Sequence, residues 1–322
     1  MAPRYTARIV GVLAVTFLFA ASEVQAQIPG ALRRAAGRAV GRAAVATLTP
    51  EDLLNRAPIT TSLDDARYAT NPPADMPPGS RPQPMIGLDR TANGGFLLAA
   101  GYYEMHTQSY CLKAGTHGPG GGDGYLYAPP LGPAEAAVVA ILQNSVDRPE
   151  IEQRDIQLLL WAIIARAQFE DLEHGLRATA SRLLTPRQLA TLNRDALGTG
   201  VELALGSAPP LVRQALQAES DLRQMLTDPG ATFGQMEATA VLAGAVGIGP
   251  GSRDVSSGRW SLHPDGYYVR YLPEGYSRTL TQIWVPPASA AVGREYDPAK
   301  HIAVPGNTSR QRLIQSGRLY RN

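Results

Sequence analysis

The run Asp155–Ala165, with the sequence DIQLLLWAIIA, constrains the fold more than any other stretch of the chain. In a helix it carries apolar side chains on every side, which predicts a helix that is buried all round. Gln157 is the uncharged polar residue in this run. A buried carboxamide without hydrogen-bond partners costs about 1–3 kcal/mol. The fold must therefore give Gln157 polar partners, or a reaction must consume its amide.

The order of the patterns along the chain predicts an α+β fold. Side chains alternate in character over residues 102–112, which predicts a strand, and a glycine-rich loop at 115–124 follows it. Helical patterns fill the middle of the chain. Turn sequences at 265–266 and 273–275 then separate three strand-like runs, which predicts a C-terminal antiparallel β-meander.

Two classes of ligand are not expected from the composition and the loops. The formal net charge of +2 argues against a general nucleic-acid binder, which usually has a basic face. The glycine-rich loop lacks the Gly-Lys-Ser/Thr ending of a phosphate-binding loop. We interpret it as a flexible lip, and we predict no cofactor.

The N-terminus has the pattern of a secretory signal peptide. Arg4 and Arg8 precede an apolar run at residues 9–21, and Val24-Gln25-Ala26 is a small-x-small cleavage site. The apolar run is shorter than the roughly 20 residues that span a bilayer. We therefore expect export through the inner membrane to the periplasm, the cell surface or the medium, with no transmembrane segment after cleavage.

The predicted organisation has four parts. They are the signal peptide at 1–26, an Ala/Arg- then Pro-rich leader and linker at 27–85, an α+β domain at 86–286, and a polar C-terminal tail at 287–322. The sequence leaves the oligomeric state open.

Cys111 is the only cysteine of the chain. It cannot form an internal disulfide, and exported proteins usually pair or avoid cysteines. A single exported cysteine indicates an intermolecular bridge, a reactive thiol or simple burial.

Cys111 and Gln157 together offer one specific reaction. The thiol attacks the Gln carbonyl, ammonia leaves, and a thioester joins the two side chains. The reaction needs a deprotonated thiol, a carbonyl held at attack distance and the exclusion of water. Tyr110, Leu112 and Trp161 are the candidate shielding residues.

Two short motifs carry a resemblance to a known family. Tyr110-Cys111-Leu112 is an aromatic-Cys-apolar motif, and the run from Gln157 to Trp161 is a Gln-x-x-apolar-Trp motif. In both motifs and their order, residues 101–165 resemble the thioester domains of bacterial surface adhesins, although Ile156 stands where that family usually has Thr. The resemblance implies a Cys111–Gln157 thioester and covalent capture of an amine on a protein or surface target.

Two alternatives remain open for the same residues. In the first, the chain is a non-catalytic secreted structural or interaction protein, and Cys111 and Gln157 are core residues. In the second, it is a Cys-dependent hydrolase or transpeptidase, which needs a histidine beside Cys111. The candidates are His106, His117, His174, His263 and His301.

Metal-ligand spacings and aromatic clusters give weaker indications of function. No His-x-x-His or Cys-x-x-Cys spacing occurs, so we predict no metal site. Aromatic residues of the meander suggest a carbohydrate platform, but a core and cross-strand ladder is the favoured interpretation. These residues are Trp260, Tyr267, Tyr268, Tyr271 and Trp284.

Overall fold

The structure is a computed structural model that describes residues 57–60, 62–68, 81–195 and 210–320. The predicted signal peptide at 1–26 and the Arg-rich first part of the leader, residues 27–56, lie outside these ranges.

Strands account for both ends of the described region. The predicted strand at 102–112 is present, and it is the longest one. In chain order the strands are β1 (Gln83–Pro84), β2 (Phe96–Leu97), β3 (Gly101–Cys111), β4 (Thr116–His117), β5 (Tyr125–Ala128), β6 (Val241–Leu242), β7 (Ser261–Leu262), β8 (Tyr268–Pro273), β9 (Arg278–Val285), β10 (Glu295–Tyr296), β11 (Ile302–Pro305) and β12 (Leu313–Leu319).

Helices fill the middle of the described region, which confirms the predicted α+β fold. The run DIQLLLWAII lies within the second helix and is buried on nearly all sides. The helices are α1 (Glu135–Asn144), α2 (Gln153–Ile164), α3 (His174–Leu183), α4 (Pro186–Asp195), α5 (Pro210–Met225) and α6 (Phe233–Ala240).

One eight-stranded sheet organises these elements. Its order is β5-β11-β12-β3-β9-β8-β7, and β1 pairs in parallel with β3 beside this path. Separate two-stranded pairs join β10 to β2 and β4 to β6. Strand β3 therefore lies at the centre of the sheet, with β12 on one side and β9 on the other.

The predicted meander is confirmed. Strands β7, β8 and β9 pair antiparallel in sequence order. Gly266 adopts a φ of +95° and Gly275 a φ of +112°, a region that favours glycine, at the two turns where the sequence indicated reversals.

The predicted polar tail at 287–322 is wrong. Strands β11 and β12 fall within it, and β12 pairs with β3 at the centre of the sheet. The side chains from Ile302 to Val304 are buried, as are Leu313 and Ile314. The domain therefore continues through residue 319, because the core of the sheet needs these two strands.

The leader is also less separate from the domain than predicted. Ile59, Leu63 and Ala66 are buried in the core cluster that the helices form. Met85, which the prediction assigned to the linker, is fully buried on the other core cluster. Ile59, Leu63, Ala66 and Met85 are thus part of the core of the domain.

Candidate functional site

The site begins where β3 runs past the end of β9. On one side, the N–H of Leu112 donates to the carbonyl of Arg312 at 2.9 Å and continues the pairing with β12. On the other side, the last strand-like bond joins the N–H of Ser109 to the carbonyl of Ser277 at 3.0 Å. Because hydrogen-bonding directions alternate along a strand, the N–H and C=O of Cys111 point to this second side, beyond the end of β9.

The side chain of Gln157 occupies that place. The backbone N–H of Cys111 donates to Oε1 of Gln157 at 2.8 Å. Nε2 of Gln157 donates to the backbone carbonyl of Cys111 at 3.2 Å. A single carboxamide on α2 thus makes the two hydrogen bonds that a neighbouring strand would make. The two predicted site residues are in direct contact.

A second glutamine of α2 reinforces this arrangement. Gln153 lies one helical turn before Gln157, so both side chains project from the same face. Nε2 of Gln153 donates to the carbonyl of Ser109 at 3.1 Å and to that of Ser277 at 2.6 Å. The helix is therefore anchored to the strand edge at two consecutive turns, which fixes the position of the Gln157 carboxamide.

The predicted shielding residues all lie in the core around the pair. Cys111 is 0% exposed and Gln157 is 2% exposed. Tyr110, Leu112 and Trp161 belong to the same buried cluster. The ring of Trp161, one turn after Gln157, stacks on Phe233 of α6 with ring centroids 5.6 Å apart. Bulk water has no direct path to the Cys111 sulfur in this arrangement.

The electrostatic surroundings favour a neutral thiol. Burial raises the pKa of Cys111 well above its ordinary value, and the nearby negative charge of Glu237 raises it further. Two residues along the chain, burial lowers the pKa of Lys113 to about 7, with a further contribution from the charge of Arg312. A charged thiolate is therefore costly here unless a positive charge or a hydrogen-bond donor stabilises it.

Comparison with protein-family models, curated proteins and solved structures finds no match for this chain. The chemistry of the site must therefore be argued from its own geometry.

The hydrolase alternative lacks the contact it requires. All five histidines lie in the described ranges, and none of them is hydrogen-bonded to Cys111. His263 and His301 stack on each other in the tyrosine-rich part of the structure, with ring centroids 5.0 Å apart. Burial lowers the pKa of His263 to about 4 and that of His301 well below its ordinary value. These two histidines are held neutral among aromatic rings, where His301 is hydrogen-bonded to the Tyr267 hydroxyl and to the backbone carbonyl of Asp297.

The aromatic residues of the meander do not form one platform. Tyr267 and Tyr271 are buried in the second core cluster. Tyr268 alternates to the opposite face, where it stacks on Trp284 with ring centroids 5.1 Å apart. The favoured interpretation, a core and cross-strand ladder, fits this division.

The described ranges contain no cluster of three or more His, Cys, Asp or Glu side chains with metal-binding geometry. None of the helices in these ranges combines the length and the apolar character that crossing a bilayer requires.

Three residues of the site escaped the sequence analysis. Gln153 had one available signal, its spacing of four residues from Gln157 on a helix. Glu237 and Tyr276 had none, because they reach Cys111 through tertiary packing from α6 and from the turn between β8 and β9.

Proposed function

We propose that this chain is an exported binding protein that captures primary amines covalently through an internal thioester between Cys111 and Gln157. In forming the bond, the Cys111 sulfur joins Cδ of Gln157 and the Cδ–Nε2 bond breaks. The thiol proton goes to the nitrogen, which leaves as ammonia. An amine of a protein or surface target later replaces the sulfur, so that an amide forms and the thiol is released.

The observation that carries this proposal is the double hydrogen bond between the Gln157 carboxamide and the backbone of Cys111. The N–H of Cys111 polarises the Gln157 carbonyl and is placed to stabilise the oxyanion that forms on attack. Side chains of a strand stand roughly perpendicular to the plane of its hydrogen bonds. The Cys111 side chain therefore leaves the plane of these hydrogen bonds, and a nucleophile adds to a carbonyl from outside the carbonyl plane.

Burial supports a further requirement of the chemistry, the exclusion of water. A thioester is hydrolysed when water reaches it, and both partners of this pair are sealed in the core. The Trp161–Phe233 stack and the residues around Cys111 give such a bond a dry environment. A nucleophile would have to enter this core to open the bond.

The same geometry favours a second candidate, a non-covalent structural role. Both polar ends of the Gln157 carboxamide are satisfied by Cys111, so no reaction is needed to explain a buried glutamine. The raised pKa of Cys111 also disfavours a thiolate. In this second candidate, the chain is an exported structural or interaction protein whose α2 completes the sheet edge.

Mass spectrometry of the purified mature protein separates the two candidates. The thioester predicts a mass lower by one ammonia, which maps to a Cys111 peptide linked to a Gln157 peptide. Methylamine should then free the thiol and add to the Gln157 carbon. The variant Cys111→Ala is the matched control and should show neither change. An unmodified wild-type mass with an intact Gln157 amide would exclude the thioester and leave the structural role.

A further inference from the structure

The turn between β8 and β9 brings Tyr276 to the edge of the Cys111–Gln157 pair. Oγ of Ser109, two residues before Cys111, donates to the carbonyl of Tyr276 at 2.9 Å. The next residue, Ser277, accepts the hydrogen bonds from Ser109 N–H and from Gln153. The backbone at Tyr276 is therefore fixed to the same strand edge and the same helix that position Cys111 and Gln157.

The hydroxyl of Tyr276 donates a hydrogen bond to the Glu237 carboxylate of α6. Helix α6 is held in register by its first residue, Phe233, which stacks on Trp161. Glu237 follows Phe233 by one helical turn, so the two side chains project from the same face of α6. The carboxylate is near enough for its charge to raise the pKa of Cys111.

Glu237 and Tyr276 are more exposed to solvent than Cys111 and Gln157. Cys111 and Gln157 are sealed, whereas Glu237 and Tyr276 are half-buried at the boundary with solvent. An amine that approaches Gln157 from this side meets the carboxylate first. No hydrogen bond joins Glu237 to the Cys111 sulfur in the structure, so the amine nitrogen itself has to mediate between them.

We infer that Glu237, positioned by Tyr276, is the proton acceptor for the amine that opens the Cys111–Gln157 thioester; this inference rests on the proposed function. The amine nitrogen bonds to Cδ of Gln157 and the Cδ–Sγ bond breaks. The proton that the nitrogen loses passes to the carboxylate of Glu237 and from there to the Cys111 sulfur. The products are an amide and a neutral thiol, and Glu237 returns to its starting state.

The environment of the leaving sulfur explains why this step needs a proton carrier. Burial makes a free thiolate at Cys111 costly, so expulsion of the sulfur is slow unless it receives a proton. A positioned general acid–base group typically contributes about 10²–10⁴-fold to a rate. Tyr276 fixes the carboxylate through its hydroxyl but has no direct part in the proton transfer.

The test measures the rate at which methylamine releases the Cys111 thiol in wild type, Glu237→Gln and Glu237→Ala. Both variants should react about 100-fold more slowly. Formate should restore the rate of Glu237→Ala in a concentration-dependent way, because a small carboxylate can replace the missing acceptor, whereas chloride at equal ionic strength should not. Tyr276→Phe should give a smaller loss.

Glu274→Gln is the matched control, since Glu274 lies on the same turn and pairs with Arg278 at 2.8 Å, away from Cys111. It should react at the wild-type rate. Thermal unfolding of each variant checks that the fold is intact. Glu237 variants that react as fast as wild type, or a loss of rate that formate does not restore, would overturn the inference.

The failure of this inference is distinct from the failure of the proposed function. A wild-type protein without the ammonia loss would remove both. A wild-type protein with the thioester, together with Glu237 variants that open at the normal rate, would remove the proton acceptor and leave the covalent capture in place.

Discussion

Gln157 makes with Cys111 the pair of hydrogen bonds that another strand would otherwise make. The contact has a structural value whatever chemistry follows, because the N–H and C=O of Cys111 are buried and have no strand opposite them. Each buried group left unpaired costs about 1–3 kcal/mol. The residues that the proposed reaction needs are thus also residues that the fold needs.

This double role predicts the effect of two substitutions of Gln157, tested in the Cys111→Ala background so that no thioester intervenes. Gln157→Leu should lower the free energy of unfolding by about 2–4 kcal/mol, because two buried backbone groups lose their partners. Gln157→Glu should be milder at acidic pH, where a neutral carboxyl can both donate and accept.

The pH dependence of Gln157→Glu follows from its burial. Desolvation raises the pKa of the introduced carboxyl in the folded state above its value in the unfolded chain. The free energy of unfolding of the Gln157→Glu variant should therefore be highest at low pH and fall as the pH rises through the folded-state pKa. Urea unfolding from pH 4 to pH 8 measures this trend. If Gln157→Leu and its Cys111→Ala parent had equal free energies of unfolding, the hydrogen bonds of Gln157 to the Cys111 backbone would not contribute to stability.

Among the elements, α6 contributes an aromatic contact beside the site. It begins with a capping box, in which Thr232 and Gln235 exchange side-chain and backbone hydrogen bonds. It ends at Ala240, because Val241 and Leu242 leave the helix to pair with β4. Phe233 is half-buried, and its stack on Trp161 is the aromatic contact that seats the helix.

Loss of that contact should uncover Cys111. Phe233→Ala is expected to lower the free energy of unfolding by about 1–3 kcal/mol, because it loses aromatic stacking and apolar burial. It should also raise the rate at which a maleimide labels Cys111 after methylamine treatment, when the thiol is free under either candidate function.

Phe233→Leu is the matched control, because it retains apolar bulk and should label almost as slowly as wild type. Labelling of Phe233→Ala at the wild-type rate would show that α6 does not limit access to the thiol.

The sequence predicts an element well when the residue pattern lies within the element itself, and poorly when contacts elsewhere in the fold set its limits. The all-apolar run around Gln157 predicted a buried α2, and alternation predicted β3, because both periodicities are local. The end of α6 at Ala240 has no such local pattern, since it is set by the pairing of Val241 and Leu242 with β4. The contact of Cys111 with Gln157 was expected from the family resemblance. The position of Glu237 near Cys111 depends on tertiary packing, so a single sequence does not predict it.

At the scale of the whole molecule, the main error concerned the C-terminal strands. The sequence from 302 to 319 has short apolar groups interrupted by polar residues, which resembles a tail. In the structure two of these polar side chains are buried and donate to backbone carbonyls. Nε2 of Gln311 donates to the carbonyls of Thr116 and Ala240 at 3.1 and 2.9 Å. Arg312 is 3% exposed and donates to the carbonyls of Thr308 and Arg310. Polar composition therefore concealed two core strands.

The position of these strands makes the C-terminal segment indispensable to the site. Strand β12 is the neighbour of β3 on the side opposite Gln157, and Leu313 lies directly across from Cys111.

A chain that ends at Pro286 would expose one edge of β3 and the apolar side chains that β11 and β12 cover. We expect such a chain to lack a cooperative unfolding transition in urea and to label at Cys111 at the rate of the denatured protein. A chain that lacks only residues 321–322 is the matched control and should unfold as the full chain does. Cooperative unfolding of the chain ending at Pro286, with Cys111 still protected, would mean that β3 and α2 hold the site without the last two strands.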